Sequence, residues 1–195
     1  MSDISVIARH AVTVLAGQLA VMAFGVTDTI VAGRFSADAL AALSVASAVF
    51  VSVYVSLMGV LQALLPVWAE QHGRGETAAI GQSFRQSLYL AAAASVLGMG
   101  VLLFPEPLLR LTEVPDAMRE SVRDYLIIVG WALPSALFFR LYTTLNQALG
   151  RPQLVTWIQV GALVLKVPLS IWFTFGGWGI APQGAAGCAW ATLLV

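Results

Sequence analysis

Long apolar stretches separated by short polar ones make up most of this 195-residue chain. An α-helix rises about 1.5 Å per residue, so about 20 apolar residues cross the hydrocarbon core of a bilayer. Charges and turn residues divide the chain into six such stretches, which predicts an all-α membrane protein folded as a bundle of six transmembrane helices. The predicted spans are residues 9–33, 39–69, 87–104, 121–149, 154–175 and 184–195.

Two of these spans have unusual lengths. The second is longer than a bilayer requires, which predicts that it tilts or protrudes into water. The sixth has about a dozen residues, fewer than a crossing needs, so we expect a truncated helix in which the chain ends.

The polar connections give more local predictions. Asp38 is a plausible N-cap for the second helix, and residues 70–86 form a hydrophilic segment that is predicted to be a loop. Residues 105–124 combine three prolines with mixed charges and are predicted to form an amphipathic segment at the membrane interface. Gly150, followed by an arginine and a proline, predicts the end of the fourth helix.

Composition supports a protein whose main partner is the lipid bilayer. The chain is 59% hydrophobic and 10% charged, with a mean hydropathy of +0.85, whereas a soluble domain has about 25% charged residues. Net charge is zero, so nothing indicates nucleic-acid binding.

The distribution of arginines is a weak signal for orientation in the membrane. With the N-terminus on the cytoplasmic side, five arginines lie on that side and four on the opposite side. The inner set is Arg9, Arg74, Arg85, Arg140 and Arg151, and the outer set is Arg34, Arg110, Arg119 and Arg123.

Two charges lie deep within the predicted spans. Asp28 is in the first span, and Lys166, the single lysine of the chain, is in the fifth. A charge in the bilayer costs several kcal/mol unless it is paired, hydrated or neutralised, so each is a candidate functional residue. Because their depths are compatible, we predict that the two face each other inside the bundle. The alternatives are that Asp28 reaches headgroup water and that Lys166 snorkels to an interface.

Uncharged polar residues extend this candidate site. Ser170 follows Lys166 by four residues and therefore shares its helix face. Small residues flank Asp28 and would allow a neighbouring helix to approach, with hydroxyl groups bonding across the contact. Those flanking residues are Gly25, Thr27, Thr29 and Gly33.

Four other residues are candidates for a substrate cavity, although interhelical hydrogen bonding is their commoner role. They are Gln18, Gln62, Thr143 and Asn146.

Enzymatic chemistry has little support. Asp28 is the single aspartate deep within a span, and one such residue cannot form the dyad of an intramembrane protease. The sequence contains no metal-ligand cluster, phosphate-binding loop or nucleophile–base set, so we predict no catalytic residue, no bound metal and no cofactor. The single Cys188 cannot form an internal disulfide and is expected to be a packing residue.

Several stretches resemble the MATE (multidrug and toxin extrusion) transporters, particularly their NorM-like bacterial branch. The most specific is GQLAVMAFGVTDTIVAGRFSADALAALSVA, in which Asp-Thr is followed by a small-residue turn and Leu-Ala-Ala. The others are ALLPVWAEQHGRGE, FFRLYTTLNQALGRPQ and KVPLSIWFTFGGWGIAPQGAAGCAWAT. The resemblance covers nearly the whole chain, in order.

This resemblance implies a cation-driven exporter of cationic amphipathic drugs, with twelve helices in two lobes, in the bacterial inner membrane. The chain would be the N-terminal lobe, without its C-terminal partner. Asp28 matches the first-helix acid that binds the coupling ion, and Thr192 matches a sixth-helix threonine near the same site. Relatives often have Asn where this chain has Lys166, and Asp or Asn where it has Ser170. An ammonium disfavours a second cation, so the expected coupling ion is a proton, with Na⁺ as the alternative.

Two other functions remain open from the sequence. One is a flippase of the same superfamily for lipid-linked oligosaccharides, which would require a strongly basic cavity; Lys166 and Arg140 are thin support for one. The other is a non-transporting structural membrane module, in which Asp28 could be replaced without loss of function.

Overall fold

The computed structural model describes residues 3–111, 115–177, 179 and 181–195, and the elements in these ranges are α-helices. They are α1 Asp3–Phe35, α2 Ala37–Gln62, α3 Leu64–Gly73, α4 Thr77–Leu103, α5 Glu106–Leu111, α6 Asp116–Ala148, α7 Pro152–Phe175 and α8 Ala185–Leu194. The predicted all-α class is therefore confirmed.

Within the described ranges, five segments are long and apolar enough to cross a bilayer. They are Ala11–Phe35, Ala37–Gly73, Thr77–Leu103, Met118–Ala148 and Pro152–Phe175. The predicted sixth span corresponds to α8, whose ten residues extend about 15 Å, half the thickness of a hydrocarbon core. Large apolar side chains cover the outside of the bundle: Val12, Met22 and Trp157 are 65%, 68% and 74% exposed. Such a surface suits lipid and not water.

Helix α6 lies at the centre of the bundle. It packs against α2, α4 and α8, and more lightly against α3 and α7. The buried residues of α6 recur every three or four positions, as expected for one face of a helix. They include Val122, Leu126, Val129, Leu133, Leu137 and Leu141, all of which are fully buried. Helix α1 packs mainly against α7 and secondarily against α2, so α7 connects the first helix to the rest of the bundle.

The predicted second span is broken into two helices. Helix α2 ends at Gln62, and α3 begins at Leu64, with Ala63 between them. Pro66 explains the break, because proline has no N–H to donate to the carbonyl of Gln62, four residues earlier. The long predicted span over 39–69 therefore consists of two helices that meet at Ala63, and not of one unbroken helix.

The predicted loop over 70–86 is mostly helical. Helix α3 continues to Gly73, and α4 begins at Thr77, ten residues before the predicted span at 87. Gly75, with a φ of 73°, makes the turn between them. The helices continue beyond the apolar core because polar side chains are compatible with helix where they face water. Trp68 is buried there and donates from Nε1 to Ser83 Oγ at 2.8 Å, which joins α3 to α4.

The helix ends confirm one prediction and correct another. Gly150 has a φ of 67° and follows the end of α6, as the sequence predicts. The N-cap of α2 is Ser36, whose Oγ accepts a hydrogen bond from the Ala39 N–H at 3.0 Å. Asp38 lies in the first turn instead, where its charge complements the helix dipole. Within the segment 105–124, α5 is a six-residue helix, and residues 112–114 lie outside the described ranges.

Helix α8 approaches the backbone of α7 closely at Gly187. A Cβ at this position would lie 2.5 Å from the Phe173 carbonyl carbon and the Thr174 backbone nitrogen. Main-chain atoms cannot move aside as a flexible side chain can, so glycine is required here. This contact sets how near α8 can come to α7.

We expect Gly187→Ala to destabilise the fold by about 1–3 kcal/mol, because the added methyl overpacks against α7. The matched control is Gly161→Ala, which adds the same methyl to α7 where no described atom lies within 4 Å. Thermal unfolding in detergent micelles provides the measurement. Equal midpoints for the two variants would contradict the assigned packing.

Candidate functional site

Asp28 and Lys166 form a buried ion pair between α1 and α7. Lys166 Nζ lies 3.0 Å from Asp28 Oδ2, and the lysine and the aspartate are 1% and 7% exposed. The predicted pairing is therefore confirmed. Both alternatives are wrong, because neither residue is exposed enough to reach headgroup water.

Two hydroxyl groups complete the polar contacts of this pair. Ser170, one helical turn after Lys166 on α7, donates from Oγ to Asp28 Oδ1 at 3.1 Å. Thr192, on α8, accepts a hydrogen bond from Lys166 Nζ at 2.6 Å. Thr192 directs its own proton to the Cys188 carbonyl at 2.9 Å, so its lone pairs face the ammonium. The four residues predicted from the sequence and the resemblance are thus in contact.

Apolar and weakly polar groups enclose the site. The Phe24 ring, one turn before Asp28, has its centroid 5.5 Å from Lys166 Nζ, within cation–π range. On α8, Cys188 Sγ is 3.9 Å from the Asp28 carbonyl oxygen and 3.4 Å from Thr174 Oγ1. The ammonium thus has two oxygen partners and one aromatic face. Three helices contribute to a closed site with no net charge.

Such a site is stable when one positive charge lies beside the carboxylate of Asp28. Each buried ion of the pair has lost its hydration, and the loss is compensated by the opposite charge and the hydroxyl groups. Removing either charge leaves the other in a low-dielectric environment. A second cation could approach Asp28 only against repulsion from the ammonium.

Comparison with known proteins identifies the family. The MatE family model matches residues 14–172, which include both members of the ion pair. The chain belongs to the MatE family. It is therefore a multi-pass membrane protein, and the resemblance inferred from its motifs is confirmed.

Curated MatE relatives carry names that describe drug resistance. A "Probable multidrug resistance protein NorM" of Aromatoleum aromaticum is 37% identical over 187 residues, which are 96% of this chain and 40% of that protein. A protein of the same name from Neisseria meningitidis serogroup B is 30% identical over the whole chain and 43% of its own length. The chain thus spans about two-fifths of the length of these relatives.

A solved structure supports the same MatE fold. It is described as the MATE transporter NorM-NG, in a complex that includes a monobody. The two folds superpose with a TM-score of 0.65 at 28% identity, over 92% of this chain and 39% of the other.

The residues predicted to line a substrate cavity are not part of the buried pair's site. Gln62 Oε1 accepts from Arg140 Nη2 at 2.7 Å, which joins α2 to α6. Thr143 Oγ1 and Asn146 Nδ2 donate to carbonyls of their own helix, at 2.9 and 2.8 Å. Gln18 lies ten residues before Asp28 on α1, about 15 Å along the axis. Their role in binding substrate stays a prediction.

The small residues around Asp28 act differently from the prediction. Thr27 Oγ1 and Thr29 Oγ1 each donate to a carbonyl one turn earlier in α1, at 2.8 Å, and so do not bond across the contact. No described neighbouring atom lies within 4 Å of a Cβ at Gly25. The close approach to α7 occurs instead at Gly17, where a Cβ would collide with Gln159 Oε1.

We expect Asp28→Asn and Lys166→Met each to destabilise the protein by about 3–5 kcal/mol, because each leaves an unpaired buried charge. The double variant should lose much less than the sum of the two. Unfolding midpoints of the wild type, the two singles and the double provide the double-mutant cycle.

A matched control is available at the surface. Glu70 and Arg74 form an ion pair at 2.6 Å, with both side chains 63% exposed. Arg74→Gln should cost less than about 1 kcal/mol. Additive losses for the buried pair would show that Asp28 and Lys166 do not depend on each other.

Proposed function

We propose that this chain forms the N-terminal lobe of a proton-coupled multidrug efflux antiporter in the bacterial inner membrane, with Asp28 at its coupling centre. Membership of the MatE family and the names of its relatives support the transport class. A C-terminal lobe would complete the transporter, in keeping with the greater length of those relatives. The cargo would be small cationic amphipathic drugs. The protein would act as a transporter and not as an enzyme.

The observation that carries the proposal is a buried carboxylate whose charge is balanced by a single cation. An anion in such a place is stable only while a positive partner neutralises it. A cationic drug and a proton both satisfy this need, and each favours a different state of the same site. Binding one therefore disfavours the other, which is the thermodynamic requirement for exchange.

Proton coupling is favoured over Na⁺ coupling by the position of Lys166. Its ammonium contacts Asp28 Oδ2 and Thr192 Oγ1, the oxygen atoms that a small cation would need. A sodium ion added there would face like-charge repulsion at contact distance. A proton, in contrast, moves among groups that are already present.

The rival functions have less support. A flippase for lipid-linked oligosaccharides would need a basic cavity, but the charge of Lys166 is neutralised by Asp28. Arg140 alone would then serve that role. A structural module gives no functional reason to bury an ion pair whose assembly requires three helices.

The test of this function is gradient-driven drug efflux by the complete reading frame in cells that lack their own exporters, with the fluorescent cation ethidium as the cargo. Asp28→Asn should reduce ethidium efflux to the vector background, because an amide carries no negative charge with which to pair a cation. Asp38→Asn, the same change at an exposed position in the first turn of α2, should retain wild-type efflux. Wild-type pumping by Asp28→Asn would reject the proposal, and lipid-linked sugar translocation without ethidium efflux would favour the flippase.

The coupling ion is tested in proteoliposomes with imposed gradients. In vesicles whose lumen is more acidic than the bath, the outward flow of protons should drive uptake of ethidium by transporters in the inverted orientation. Replacing Na⁺ by choline should leave the rate unchanged within about twofold. An ionophore that collapses the proton gradient should abolish transport. Transport driven by a Na⁺ gradient alone would contradict proton coupling.

A further inference from the structure

Lys166 has no short route out of its site. It lies nine residues before Phe175, the last residue of α7, and is 1% exposed. Its Nζ is held by Asp28 Oδ2 at 3.0 Å and by Thr192 Oγ1 at 2.6 Å, and it lies against the Phe24 ring. Moving a charged ammonium from these partners into lipid would strip it of every compensating contact, which is costly.

Charge balance then limits how a cationic substrate can reach Asp28. The site holds one negative and one positive charge, so it is neutral. Adding a substrate cation would leave one uncompensated positive charge in a low-dielectric environment. Because the ammonium cannot leave, the site regains neutrality if the ammonium loses its charge.

We propose that Lys166 releases the exchanged proton when a cationic substrate pairs with Asp28, an inference that rests on the proposed function. The Nζ–H bond breaks, its electron pair stays on nitrogen, and the proton passes to water. Asp28 remains a carboxylate and becomes the counter-ion of the substrate. One substrate cation enters, one proton leaves, and the net charge of the site stays zero.

The neutral amine would remain where the ammonium was. It keeps two N–H bonds, enough to donate to Thr192 Oγ1 and to the carboxylate of Asp28. Thr192 Oγ1 can accept a hydrogen bond from the amine because the hydroxyl donates its own proton to the Cys188 carbonyl. Ser170 meanwhile donates to Asp28 Oδ1, so the carboxylate keeps its orientation while the substrate replaces the ammonium as its counter-ion. When the substrate leaves, a proton returns to Nζ and the original pair forms again.

The other titratable groups that face the pair are Tyr125 from α6 and Cys188 from α8. A tyrosine and a cysteine are ordinarily neutral at neutral pH, so neither adds a charge to the balance. Among the described residues of the site, Lys166 is therefore the group that holds an exchangeable proton beside a charged carboxylate.

The test measures proton release on binding of tetraphenylphosphonium by the complete protein in detergent. This probe is a permanent cation with no proton of its own, so any proton comes from the protein. A pH indicator in weakly buffered solution should record about one proton per bound probe for the wild type, as electroneutrality requires. Binding itself is measured separately by equilibrium dialysis.

Two variants of Lys166 distinguish the effect of its positive charge from the effect of its exchangeable proton. Lys166→Arg keeps a positive charge that cannot be released, so the dissociation constant for the probe should rise at least roughly tenfold. Lys166→Met removes the competing charge, so the probe should bind more tightly than it binds Lys166→Arg. Because Asp28 takes up a proton when it is left without a cation, proton release per bound probe is compared between the wild type and Lys166→Arg, in which the carboxylate stays paired and no proton should be released. Arg85→Met, which removes an exposed cation from α4, should behave as the wild type. Purification as a monodisperse protein is required of each variant, and the Lys166→Arg variant alone can overturn the proposal.

The contrary results are clear. Wild-type proton release per bound probe by Lys166→Arg would assign the proton to another group, and wild-type affinity in the same variant would show that the charge at position 166 does not compete with substrate. Binding of the probe by the wild type without proton release would overturn the role of Lys166 while leaving drug transport intact. A wild type that neither binds lipophilic cations nor transports ethidium would overturn the proposed function itself.

Discussion

The ion pair of Asp28 and Lys166 imposes the strictest constraint on this fold. Two charges have been removed from water, and each is tolerated only because the other is 3.0 Å away. The hydroxyls of Ser170 and Thr192 satisfy part of the remaining hydrogen-bonding capacity, so α1, α7 and α8 must meet at this point. A shift of one helix by even part of a turn would break the arrangement.

The surrounding packing fixes these three helices. Helix α1 contacts α7 at two other levels: Thr156 Oγ1 donates to the Thr13 carbonyl at 2.9 Å, and the Phe35 and Phe175 rings meet edge to face at 5.9 Å. The glycine at 187 brings α8 against α7, which positions Thr192 beside the ammonium. The site therefore depends on three interhelical contacts, none of which involves a charged side chain.

The sequence predicted much of this arrangement because charges are rare in the spans. An aspartate and a lysine at compatible depths had few other partners. Their pairing could therefore be inferred from the free-energy cost of an unpaired charge in the bilayer. The break at Ala63 was not predicted, although Pro66 was a visible signal for it. Phe24 and Cys188 could not have been found, since nothing in an apolar stretch indicates which aromatic ring or thiol will face a charge. The direction of the Thr27 and Thr29 hydroxyls depends on local competition with backbone carbonyls, which a spacing pattern does not resolve.

Lys166 sets the charge balance of this site. It supplies a positive charge from the protein itself, 3.0 Å from the carboxylate of Asp28. The most direct test of this idea uses Lys166 as the single lysine of the chain, labelled with ¹⁵N at Nζ, observed by NMR and assigned by its loss in Lys166→Met. If the buried pair exists, the spectrum should contain an ammonium resonance that exchanges slowly with water and shifts in Asp28→Asn. A rapidly exchanging ammonium that is unchanged by Asp28→Asn would contradict it.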